Sequence, residues 1–194
     1  WKLDEGTGVT AADGSAHHRA LTLTSASWTG RARLDGGLRG NGTSVAGATG
    51  AAVLDTTNSF TVSAWARLTA KDHISTVATQ SGTRAGSFQI YYSQSSDRWV
   101  FNRYSADTDT PAITRAQSLR PPVVGAWTHL MGVYDQNKKQ LRFYVNGRLQ
   151  STADYTTPWG RHTNIELALA GDFQRRNALC ALAAAESFLQ RKID

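Results

Sequence analysis

Residues 127–152, WTHLMGVYDQNKKQLRFYVNGRLQST, restrict the fold of this chain more than any other stretch of it. Trp127, His129, Met131 and Val133 alternate with Thr128, Leu130, Gly132 and Tyr134, so both sides of an extended segment carry apolar groups, as in a central strand of a packed sheet. His129, alternating with core positions, reads as a structural histidine. The DQNKK turn leads into Leu141, Phe143 and Val145. Asn146-Gly147 then supplies the two residues that tolerate positive φ in a type I′ hairpin, and Arg148-Leu149-Gln150 returns.

The same period runs through the chain. Phe60, Val62, Ala64, Ala66 and Leu68 share one side of the segment Ser59–Leu68 and mostly polar groups share the other. Further strands are expected at 74–80, 87–93, 98–104, 127–134, 140–145 and 148–153, and weaker ones at 1–3, 19–23, 33–38 and 44–46. Between them stand turn formers such as Ser81-Gly82, Asp107-Thr108-Asp109-Thr110-Pro111 and Pro121-Pro122. Many short strands at this spacing predict an all-β antiparallel sandwich or jelly roll, with residues 1–194 forming a single domain. Near the end, Ala178, Ala181, Leu182, Ala185 and Leu189 fall at helical spacing and predict a short C-terminal helix over 177–190.

Composition removes several function classes. The formal charge of +6 is spread over single cations, with Lys138-Lys139, Arg175-Arg176 and Arg191-Lys192 as the adjacent pairs. Nucleic-acid binding needs cations clustered on one face, so no nucleic-acid partner is expected. No stretch has the roughly 18 uncharged apolar residues that a membrane helix requires, so no membrane insertion is expected. The opening WKLDEG has neither the basic nor the apolar region of a signal peptide. Cys180 is the single cysteine, which excludes an internal disulfide or a cysteine zinc cluster.

The order of several motifs is informative. WKLDEGTG followed by AADGSAHHRALTL, then SFTVSAWARL, then W-T-H-L-x-G-V-Y-D with L-x-x-Y-V-N-G, and finally SFLQRKID, resembles the laminin G-like, concanavalin A-like jelly-roll family, especially its bacterial secreted branch. The likeness covers nearly the whole chain and implies the fold more specifically than an activity. It also implies a secreted or cell-surface location, and the balance of Arg over Lys with abundant Ala and Gly suits a bacterial, GC-rich source. Two departures stand out. Arg191 or Lys192 occupies the usual glycine of the closing motif, and the chain stops at Asp194, before the last strand would run. The implied edge is therefore unpaired, or completed by a segment outside this chain.

Some relatives of the fold are glucanases, but retaining glycosidases need two carboxylates about 5 Å apart, as E-x-D-x-E on a strand provides. That motif is absent. Asp107 and Asp109 have the spacing, yet their neighbours Thr108, Thr110 and Pro111 place them in a solvated loop. Cys180 has no neighbouring base, and no G-x-S-x-G elbow occurs. No catalytic residue is therefore expected. His17-His18, with His73 and His162, would need converging loops to hold a metal and read as solvated. Calcium suits the loop chemistry of Asp13 in Ala-Asp-Gly-Ser, where an Asx-turn is the alternative. The resemblance implies that Asp13 and Asp194 share one structural Ca2+. For a glycan or protein ligand, aromatic faces beside planar hydrogen-bonding groups are offered by Tyr92, Arg98, Trp99, Arg103 and Tyr104 on neighbouring strands, and by Trp159 after Pro158.

The leading expectation is a non-catalytic binding module for a carbohydrate or a protein, joined to other domains of a larger secreted or surface bacterial protein. A polysaccharide-cleaving enzyme on the same fold, and an assembly module completed by a partner strand, are the alternatives.

Overall fold

The computed structural model describes residues 1–42 and 45–150, and the backbone of 153–157 and 160–165. Among these residues there is no helix, and the strands run in chain order as β1 (Thr10–Ala11), β2 (Leu21–Leu23), β3 (Ala26–Leu34), β4 (Gly36–Gly40), β5 (Gly47–Ala48), β6 (Phe60–Arg67), β7 (Ser75–Ser81), β8 (Gly86–Ser93), β9 (Arg98–Tyr104), β10 (Ile113–Gln117), β11 (Trp127–Asp135), β12 (Gln140–Val145), β13 (Arg148–Gln150), β14 (Ala153–Thr157) and β15 (Gly160–Ile165). The expected C-terminal helix, Asp194 and Trp159 lie outside the described residues.

Two four-stranded antiparallel sheets, ordered β13-β12-β11-β6 and β10-β9-β8-β7, form the sandwich. Alternation decides what lies between them. Phe60, Leu130, Leu141 and Phe143 come from the first sheet, and Phe88, Ile90, Tyr92, Trp99 and Phe101 from the second, all in one buried cluster. Phe101 is at its centre, with ring centroids 6.3 Å from Phe60, 6.5 Å from Phe88 and 6.5 Å from Phe143. Burying each such ring stabilises the sandwich by roughly 1.5–3 kcal/mol, which makes this cluster the main term holding the sheets together.

The turns follow their residue types. Asn146 (φ 50°) and Gly147 (φ 75°) close β12 onto β13. Lys139 (φ 49°) completes the turn from β11 to β12, where the Lys138 N–H donates to Asp135 Oδ1 at 3.1 Å. Elsewhere the outcome departs from the expected strands. The strand expected at 33–38 is instead a hairpin tip: Leu34 pairs with Gly36 across Asp35, whose φ is 44°. Residues 1–3 are not a strand, and β10 was not anticipated, because Ala116 is its single buried side chain and leaves no alternation to detect. Smaller pairings complete the fold, β1-β2-β5, β3-β4 and β14-β15.

Candidate functional site

The register between β6 and β11 assembles the candidate site. Trp127 stands opposite Arg67, and His129 opposite Trp65, on the side of the sheet facing away from the core. Trp65 retains 44% of its surface exposed, unusual for an indole on a strand whose other side is packed. Its ring and the His129 imidazole lie 5.3 Å apart at 55°. From the β3–β4 hairpin, the Arg33 guanidinium reaches across to within 4.8 Å of the Trp65 ring centre, and Arg67 lies 5.2 Å from that of Trp127. Each contact is attractive by about 0.5–1 kcal/mol at an exposed position, enough to bias a side chain without immobilising it.

The β12–β13 turn fixes one wall. Asn146 Oδ1 accepts the His129 N–H at 2.9 Å, and the Asn146 N–H donates to the His129 carbonyl at 2.8 Å. Arg33, Trp65, Trp127, His129, Asn146 and Gly147 together line a shallow, open depression of about 520 Å³. Aromatic faces supply apolar area, and guanidinium, imidazole and amide groups supply directional hydrogen bonds, the mixture that orients a polar ligand with apolar faces. Met131, Tyr144 and Leu149 continue the same side of the sheet, all partly exposed.

The ligand residues expected from sequence are distributed differently. Tyr92 and Trp99 point into the sandwich with 1% and 3% of their surface exposed and ring centroids 6.1 Å apart, so neither presents a face to a ligand. Burial pushes the Tyr92 hydroxyl above its ordinary pKa, and its bond to Asp97 adds to this. Arg103 lies on the same inner side, 4.1 Å over the Tyr134 ring, and donates to the Thr56 carbonyl at 3.3 Å. Arg98 closes its own turn by donating to the Asp97 carbonyl at 2.9 Å. Tyr104 is half-buried on the opposite side, where its hydroxyl donates to Gln89 at 3.5 Å. These residues therefore do not converge, because a strand sends neighbours to opposite faces. Trp65, Trp127, His129, Arg33 and Arg67 went unnoticed as a group. The available signal was Trp65 itself, an indole on the polar side of an amphipathic strand.

The acidic loops have structural partners. Ser15 and Arg19 N–H groups donate to Asp13 Oδ1 and Oδ2, both at 2.8 Å, and hold the carboxyl down to about 2. This is the Asx-turn geometry, and the Ser15 side chain adds a further hydrogen bond to the carboxylate. Among the described residues no three His, Cys, Asp or Glu side chains gather to hold a metal. Asp107 accepts N–H bonds from Ala85 and Arg84 at 2.7 Å and from Thr83 at 2.8 Å, which hold its carboxyl at about 2 as well. Asp109 pairs with Arg84 at 2.7 Å. The Asp107–Asp109 pair thus clasps residues 83–85, and both carboxylates are occupied in doing so.

No curated protein and no solved structure matches the chain. A laminin G-type family model described as the concanavalin A-like lectin/glucanases superfamily matches residues 39–182, most of the chain and all of the two main sheets. Together with the antiparallel sandwich, this match shows that the chain belongs to the concanavalin A-like lectin/glucanase superfamily.

Proposed function

We propose that this chain is a non-catalytic saccharide-binding module whose ligand lies across Trp65 and Trp127 on the outer side of the β6–β11 pair. The observation that carries this is the exposed Trp65 indole held in register with His129 and Trp127, beside donors from Arg33 and Asn146. An indole left in water costs burial energy that the core would otherwise gain, whereas stacking on the apolar face of a sugar ring removes that area from water. The superfamily contains both lectins and glucanases, and supports binding of a carbohydrate or a protein at that coarse level. The module would serve a larger secreted or cell-surface bacterial protein, bringing its other domains to a glycan.

A glycan array probed with wild type, Trp65→Ala and Trp127→Ala tests the site. Binding by wild type that both substitutions abolish, with Thr61→Ala unchanged, is the expected result. Glycan binding that survives both substitutions places the ligand elsewhere. An activity screen on polysaccharides with the same purified chain tests the enzyme alternative, because turnover would replace the lectin-like reading.

A structural calcium ion at the Asp13 loop is a separate proposal. Its support is the carboxylate held ionised at neutral pH, which loop carbonyls would have to supplement.

A further inference from the structure

The side chains around the depression carry hydrogen-bond donors and no carboxylate. Among the described residues, neither Arg33 nor Arg67 has a carboxylate or carbonyl partner; each guanidinium rests on an indole instead. Several other arginines have polar partners: Arg84 pairs with Asp109, Arg142 with Asp135, Arg98 closes its own turn and Arg19 donates to the Val53 carbonyl. The Asn146 carbonyl oxygen is used by the His129 N–H, which leaves its amide NH2 as the group it can offer. We propose that this platform selects saccharides bearing carboxylates, that is, uronic-acid-containing chains, with sugar rings on Trp65 and Trp127 and carboxylates held by Arg33 and Arg67. This rests on the reading of the platform as a saccharide site.

The chemistry favours an anion specifically. A guanidinium offers five N–H donors in a planar fork matching a carboxylate, and a charge-assisted pair is about twice as strong as a neutral hydrogen bond. Neutral sugars would gain only the stacking and neutral bonds.

The test uses the purified chain and oligomers of galacturonate, mannuronate and glucuronate, each beside its methyl ester, which keeps the sugar ring and removes the charge. Calorimetric titration at about 50 mM salt should show an acid oligomer bound and its ester bound about tenfold or more weakly. Arg33→Gln combined with Arg67→Gln should reduce acid binding by a similar factor and ester binding by much less, so that the preference for acid over ester is lost. Lys138→Gln with Lys139→Gln, an equal charge loss in a distant turn, should change neither. Acid and ester bound alike, and both lost in Trp65→Ala, would overturn the acid preference while leaving the saccharide site standing. Binding of neutral array glycans alone would do the same. No saccharide bound by any form overturns both, and capture of an oligo-glutamate peptide in their place would reassign the platform to an acidic protein.

Discussion

The ring of Phe101 lies 2.7 Å from where a Cβ on Gly132 would stand. The two residues come from facing sheets, and Phe101 occupies the middle of the sandwich only because β11 has no side chain at that point. Gly132→Ala should therefore destabilise the protein by about 1–3 kcal/mol through overpacking, although alanine suits a strand better than glycine. Urea denaturation checks this, and an unchanged midpoint would mean that Phe101 shifts at no cost.

The acidic clasp makes a prediction about pH. Asp107 is held at about 2, below the ordinary value of about 3.9 expected for the unfolded chain. Its contribution to stability is complete above about pH 4 and is lost as pH falls through 2. Asp107→Asn removes that contribution. Its denaturation midpoint should fall less steeply than wild type between about pH 5 and 2, and trypsin should cleave more readily after Arg84 at neutral pH. Identical acid limbs in the two proteins would show that the clasp does not persist in solution.

The contrast between Trp99 and Trp65 is another handle. Trp99→Ala empties a core position and should cost about 3–5 kcal/mol, seen as a large fall in melting temperature. Trp65→Ala should cost about 1 kcal/mol or less, the size of one exposed cation–π contact and a surface substitution. Acrylamide quenching separates them further. Trp65→Phe should remove emission that the quencher reaches readily, whereas Trp99→Phe should remove emission that it scarcely reaches.

Calcium is tested by stability. Binding to the folded state alone raises stability by mass action, so millimolar calcium should raise the melting temperature of wild type and leave Asp13→Ala unmoved. No shift in wild type, with calcium or with chelator, would leave the Asp13 loop as a hydrogen-bonded turn.

Much of the sandwich was legible because its strongest signal is local. Alternation over Phe60–Arg67 and Trp127–Asp135, with Asn146-Gly147 between later strands, is written in neighbouring residues, and both sheets follow it. The site was not, because it depends on register. Nothing local says that His129 faces Trp65 or that Trp127 faces Arg67; only the pairing of strands that lie far apart in the sequence makes them neighbours. His129 illustrates the difficulty. It alternates with Leu130 and Thr128 in a strand apolar on both sides, so a core role was the natural reading, yet its side of β11 is the open one. Tyr92 and Trp99 erred in the opposite direction, since an aromatic pair in sequence does not tell which side of a sheet is covered.

Arg33 reaches the Trp65 ring from the β3–β4 hairpin, ahead of residues 39–182, whereas both indoles belong to that shared framework. The stacking floor, with Arg67 beside it on β6, and the Arg33 half of the charged cap thus have separate histories open to them. A hairpin can lengthen, shorten or exchange its tip residue with no effect on the Phe101 core, so preference for one ligand over another could change while the floor beneath stays the same. The share of selectivity that Arg33 carries is an accessory, replaceable without rebuilding the scaffold.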